Sequence, residues 1–408
     1  MWYAGIDWAD DHHDLVILDD AGDPIRSLRV AHSAEGIRDL IALLRATVTL
    51  PDQTVAWDQL VCVIETTHGL LITALLEAGV PVYPVNPKTV DRRRKPSGAK
   101  TDGIDAYLLA KTGRSDLRDL SRLTPDSPLI QELKALTRDQ DSLIQTQTRL
   151  VNQLTACLKA YFPAALQLFK KLHQPSTLAF LQTYPTLSQA QAASLDDIAA
   201  VLRQAHHPNP RHRARHIWQV LHQAQLQADA VTVRTKRRLM LALLRQLQPL
   251  LEQIAAYDAE IAQLFSSHPD QACFGSLPRA GKRLAPRLLA EWGDDRARYR
   301  DAQSVQMLAG TAPVPFQSGQ YAKVHKRSAC IKPLRNALVQ FAWQSTVQEA
   351  WAREYYQRKR REGKSHQMAL RALANTWVRI LYALWQKREA YVTETFVQAQ
   401  QAHTRRAA

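Results

Sequence analysis

A chain of 408 residues with 46% hydrophobic content can bury a core in each of two or three domains, which excludes a disordered tail. Lys and Arg total 53 against 38 Asp and Glu, a formal charge of +15. With no apolar run long enough for a bilayer, that surplus points to a polyanion in water, most commonly nucleic acid. The opening residues MWYAGIDWADDHHD lack the basic flank and apolar stretch of a secretory signal, so a cytoplasmic protein is expected.

Residues 2–8 (WYAGIDW), 14–18 (DLVIL) and 24–30 (PIRSLRV) are short, apolar and separated by turn signals, which predicts a three-stranded antiparallel meander. A helix is expected over 35–45. The continuous apolar run LVCVIE, 60–65, reads as a strand buried on both faces, followed by a helix over 69–78 and a strand over 80–85. Three strands, helix, strand, helix, strand is the order of an RNase H-like fold. The chain then turns basic through Arg92, Arg93, Arg94 and Lys95, ahead of a helix over 102–111.

TPDSP, 124–128, marks a boundary. Beyond it, Leu133, Leu136, Gln140, Leu143, Gln147, Leu150 and Leu154 recur at alternating spacings of three and four, a heptad seam. A second seam runs from Met240 to Leu264, with Pro249 as a kink or late start. The two helices either pack antiparallel within one chain or meet copies on another protomer, with Gln140 and Gln147 setting register. Residues 163–230 read as a helical scaffold without a motif. The organisation expected is thus an N-terminal α/β domain, 1–125, a central helical coiled-coil region, 126–268, and a mostly helical C-terminal domain, 269–408.

Four carboxylates fit one place in this plan. Asp7 lies on the first strand, and Glu65 closes the fourth strand, which in the RNase H-like order lies beside the first. Asp102 and Asp105 sit three apart on a helix and share a face, with Thr101 as N-cap. Such a group repels itself, and Mg²⁺, which prefers hard oxygen ligands, resolves the conflict. Each acid taken alone reads as an ordinary strand-end or helix N-terminal acid, and joint placement is what distinguishes the set. The four cysteines, Cys62, Cys157, Cys273 and Cys330, lie too far apart for a CxxC zinc pair and are expected as buried small hydrophobes. The stretch from His206 to His216 is interleaved with Arg and Pro and reads as a basic loop rather than a metal site.

The last third mixes aromatic and basic residues. Trp343, Trp377 and Trp385 are expected as core anchors, whereas Arg358, Arg360 and Arg361 in RKRREGK are too charged to bury and suit a nucleic-acid backbone. Lys282 and Arg283 are further candidates for phosphate contact, and so are Lys323, Lys326 and Arg327, for which a solvated basic face is the commoner role.

GIDWADDHHDLVILD, VIETTHG, PVNPKTVDRRRKPSGAKTDGIDAYLLA, LAGTAPVPFQSGQ and IKPLRNALVQFAW, in that order, resemble the IS110 insertion-sequence family of DEDD transposases. The resemblance implies a RuvC-like domain whose acids are Asp7, Glu65, Asp102 and Asp105, and a C-terminal transposase domain whose nucleophile is Ser318. It implies cutting and rejoining of donor and target DNA through a phosphoserine, assistance by Mg²⁺, guidance by a structured non-coding RNA, and a homo-oligomer. One departure is PRAG, 278–281, where the family has PG-x-G, so Arg279 replaces a glycine. From the residues alone two other readings stand: a metal-dependent, structure-specific nuclease in which water attacks, and a non-catalytic nucleic-acid scaffold.

Overall fold

The computed structural model describes residues 1–87, 101–319, 321–395 and 398. Arg92, Arg93, Arg94 and Lys95 lie outside the described residues. The chain divides into two compact units, Met1–Pro125 with Arg327–Ala329, and Asp126–Lys326 with Cys330–Ala408.

The first unit is built on β1 (Trp2–Trp8), β2 (His12–Leu18), β3 (Pro24–Ala31), α1 (Ala34–Val48), β4 (Leu60–Ile64), α2 (Leu70–Glu77), β5 (Val82–Pro84) and α3 (Asp102–Asp116). Its sheet has the order β3-β2-β1-β4-β5. The β1–β2 and β2–β3 pairs are antiparallel, and β1–β4 and β4–β5 are parallel. Strand alternation sorts the side chains onto two faces. Ala4, Ile6, Leu15, Ile17, Cys62 and Ile64 join α1 and α2 in one core, while Tyr3, Val16, Leu18, Val61 and Val63 pack against Ala106 and Leu109 of α3 on the other. The second contact is close because Gly5 has no side chain: a Cβ there would stand 2.0 Å from the Ala106 carbonyl oxygen and 2.3 Å from the Ala110 nitrogen.

The second unit begins with α4 (Pro128–Tyr161) and is followed by α5 (Ala164–Leu168), α6 (Pro175–Thr183), α7 (Leu187–Ala192), α8 (Leu195–Gln204), α9 (Pro210–Leu221) and α10 (Ala230–Ser267). Next come α11 (Gln271–Gly275), α12 (Gly281–Trp292), α13 (Ala302–Leu308), the hairpin β6 (Val314–Ser318) and β7 (Tyr321–His325), then α14 (Lys332–Gln348), α15 (Ala350–Arg361) and α16 (His366–Lys387). The long helices α4 and α10 pack antiparallel in one chain: Gln140 meets Asp258 and Cys157 meets Lys236. Helix α10 continues through Pro249. One end of the pair joins a core with α5 to α9, and the other joins α11 to α16. The expected central and C-terminal regions therefore share one compact unit, with the long helices contributing to both cores.

Gln140 is buried, and its amide donates to Asp258 at 2.9 Å. Arg283 holds the same carboxylate with two bonds, at 2.7 and 2.6 Å. Two more bidentate pairs, Arg138 with Glu291 and Arg287 with Asp141, tie α12 to α4. The polar seam residue thus serves an intramolecular network, which satisfies a buried amide that leucine would not need.

Two expectations are corrected. Trp377 and Trp385 are fully buried, but Trp343 is 44% exposed on α14, because its helical position faces away from the Phe341 and Leu338 side of the core. Cys62, Cys157 and Cys273 are buried thiols, whereas Cys330 is only partly covered.

Candidate active site

The sheet register assembles an acidic row. Asp7 on β1 stands opposite Asp14 on β2, and Asp14 stands opposite Arg29 on β3. On the other side the parallel register ends at Ile6 beside Ile64, so Asp7 and Glu65 follow next to each other. Residues directly across a sheet share a face, and this face is the one that α3 covers. Helix α3 starts there: Thr101 caps it by accepting from the Ile104 N–H at 3.3 Å, and Asp102 and Asp105 fall in its first turn. Asp105 is 4% exposed, while Asp102 lies nearer the solvent.

These acids act on one another electrostatically. The Asp7 carboxyl is pushed up from 3.8 to about 6, first by burial and then by Asp105, Glu65, Asp102 and Asp14. The four acids expected from the sequence thus come together in the first unit.

Three neighbours escaped the sequence reading. Arg29 binds Asp14 with two bonds, at 3.0 and 2.8 Å, and reaches Asp102 at 3.2 Å. His12 Nε2 lies 3.2 Å from Asp102 Oδ2 and 3.5 Å from Asp14 Oδ2. Asp102 and Asp11 raise the pKa of His12. Ligand atoms of His12, Asp14 and Asp102 lie within 4.8 Å of one another. The missed signal was the start of β2: with the strand begun at His12, His12 and Asp14 alternate onto the Asp7 face.

The donor set fits a hard divalent cation. Carboxylate oxygens predominate, the strands and a capped helix fix their backbones, and Asp7 carries the penalty of uncompensated negative charge that a cation would remove.

Ser318 belongs to the second unit. It ends β6, pairs with Tyr321 across the hairpin, and is exposed. Gly319 follows with φ +56°, and a Cβ added there would meet no atom within 4 Å. The backbone beside the hydroxyl is therefore open to a large anionic group. Lys323 and Lys326 are exposed nearby in sequence, and Arg327 is partly covered. Lys282 is exposed, whereas Arg283 is committed to Asp258. Arg358, Arg360 and Arg361 are exposed at the end of α15, with Arg358 over the Tyr355 ring at 5.0 Å. Arg279 adopts φ +56°, a left-handed backbone conformation that glycine takes at no cost and other residues take under strain.

Residues 4–163 match the DEDD transposase model of the IS110 group, and residues 271–357 match the model described as Transposase IS116/IS110/IS902 family. The IS117 mini-circle protein of Streptomyces coelicolor is 31% identical over 407 residues, covering 95% of each chain. This chain belongs to the IS110 family of transposases. Other relatives include the IS900 42 kDa protein of Mycobacterium paratuberculosis, 29% identical over 95% of this chain and 96% of its own. The IS116 44.8 kDa protein of Streptomyces clavuligerus is 28% identical over 94% of each. As an IS110-family transposase the protein is a DNA transposition enzyme. Among its described residues no helix is long and apolar enough to cross a membrane.

Proposed function

We propose that this IS110-family transposase is an RNA-guided recombinase that cuts and rejoins donor and target DNA through Ser318, assisted by Mg²⁺ at Asp7, Glu65, Asp102 and Asp105. The observation that carries the reading is the convergence of those acids on the α3 face of a sheet ordered β3-β2-β1-β4-β5. That order supports an RNase H-like, RuvC-like assignment for the first unit.

When bound, Mg²⁺ supplies charge neutralisation at the scissile phosphate and polarises its oxygens. The chain's own groups do the rest. Ser318 Oγ attacks phosphorus and gives up its proton, the bond to one deoxyribose oxygen breaks, and that oxygen takes up a proton and leaves as a hydroxyl, so no net proton is consumed. A phosphoserine diester conserves the bond energy, so a hydroxyl from another strand can attack it and release Ser318. Gly319 leaves room for the phosphate, and Lys323 and Lys326 supply positive charge. Arg29 holds Asp14 and Asp102 in place and offsets part of their repulsion.

The +15 charge and the exposed arginines of α15 support binding of a guide RNA as well as DNA. Exchange between two duplexes calls for several serines, hence a homo-oligomer, acting in the cytoplasm where the element resides. The hydrolytic alternative needs only the acids, all of which lie in the first unit. Ser318→Ala separates the two. Incubated with end-labelled element DNA, it should give no covalent protein–DNA band on a denaturing gel and no joined product. Joining at the parental rate would overturn the serine assignment, and retained cleavage without joining would favour hydrolysis.

A further inference from the structure

A hollow of about 410 Å³ opens between α14 and α16, next to the end of the hairpin, and apart from Lys326 the chemistry above uses none of its lining. Lys326, Arg335, Gln340, Trp343, His366 and Arg371 line it. Its wall contains no carboxylate, and among the described residues Lys326, Arg335 and Arg371 form no ion pair with an acid. Three uncompensated cations around one concavity attract an anion strongly.

Trp343 gives that anion an identity. It is 44% exposed, yet it is held: its ring makes T-shaped contacts with Tyr356 at 5.7 Å and His366 at 5.3 Å. Tyr356 Oη and His366 Nδ1 are 2.8 Å apart, which fixes both supports. A tryptophan left half in water but pinned in orientation loses burial energy for no packing gain. Its use is as a platform, and a flat apolar partner carrying negative charge is a nucleotide. Bases inside a duplex are already stacked on each other and present only their edges. The occupant is therefore unpaired.

We propose that this hollow binds an unpaired nucleotide, with its base stacked on Trp343, its phosphates held by Lys326, Arg335 and Arg371, and Gln340 available to the base edge. The proposal rests on the protein's acting on nucleic acid but not on Ser318, bound metal or RNA guidance. It assigns Trp343 to a single-stranded segment, DNA or RNA.

The test is fluorescence anisotropy on the full chain in EDTA, where no cutting interferes. The probes are labelled DNA and RNA single strands of about 12 nucleotides, in the size range such sites span, and a duplex of the same length. Trp343→Ala should weaken single-strand binding about tenfold, the loss of one stacked base. Trp343→Phe should recover most of it, and duplex affinity should change less than about twofold. A larger loss on DNA or on RNA identifies the strand that uses the hollow. Unchanged single-strand binding by Trp343→Ala, equal loss on duplex, or failure of phenylalanine to rescue a variant with a normal melting profile would overturn the assignment. Loss of recombination without loss of single-strand binding in other variants leaves it standing, so its failure and that of the recombinase reading are separable.

Discussion

Replacing Asp7 by Asn removes the charge that the acidic row tolerates least. The folded protein raises the Asp7 carboxyl from 3.8 to about 6, a shift of roughly two units, and each unit is worth about 1.4 kcal/mol. Fully shielded, that would cost the metal-free fold about 3 kcal/mol. Asp7 is only half-buried, so solvent screening reduces the figure to roughly 1 to 2 kcal/mol. The sign follows from linkage: a carboxyl whose pKa is raised on folding binds its proton more tightly in the native state. The penalty is therefore absent below about pH 4, grows between pH 4 and pH 6, and is complete above. In EDTA at pH 8, Asp7→Asn should melt a few degrees higher than the parent, at about 2–4 °C per kcal/mol. Near pH 4 the two should melt together. Adding Mg²⁺ at pH 8 should stabilise the parent and leave the variant nearly unchanged. Thermal melts followed by circular dichroism at the two pH values measure all of this. A variant less stable than the parent at pH 8 in EDTA, or equally advantaged at both pH values, would show that the Asp7 charge carries no such penalty.

Gly5→Ala places a methyl group within 2.3 Å of two backbone atoms of α3, and the helix that carries Asp102 and Asp105 must shift. We expect a loss of about 3 kcal/mol or more in urea unfolding of the first unit, together with loss of cleavage. Arg279→Gly relieves a left-handed backbone at a non-glycine residue, and should stabilise the protein by roughly 0.5 to 1 kcal/mol after allowing for the added freedom of the unfolded chain. A lower melting temperature for that variant would show that the Arg279 side chain contributes more than its backbone costs.

The strand and helix pattern of the first unit was legible because each element has a clean period and a turn signal at its ends. The apolar run at Leu60–Ile64 is buried on both faces, and Thr101 caps α3 as its position suggested. The four acids were legible for the same reason, since the order of strands brings Asp7 beside Glu65. His12, Asp14 and Arg29 were not. The charged, histidine-rich start of β2 reads as turn, and only the paired register reveals that Asp14 faces Asp7. The exposure of Trp343 is not legible in the sequence, because a large aromatic on a helix is usually core and only its angular position on α14 relative to Phe341 decides otherwise. The role of Gln140 was equally hidden, because its partners Asp258 and Arg283 are distant in sequence and only the antiparallel packing of α4 on α10 brings them together.

We propose that cutting of DNA requires a divalent metal held by the acids of the first unit. Asp102→Asn tests it most directly, because Asp102 is the most exposed of the α3 pair and touches His12 and Arg29 rather than the buried core. Cleavage of labelled element DNA by parent and variant should be measured across a Mg²⁺ titration. The parent should cut with a saturable dependence on Mg²⁺, and the variant should show neither cutting nor that dependence while melting normally. Mg²⁺-dependent cleavage by Asp102→Asn at the parental rate would show that cutting does not use a metal held by these acids.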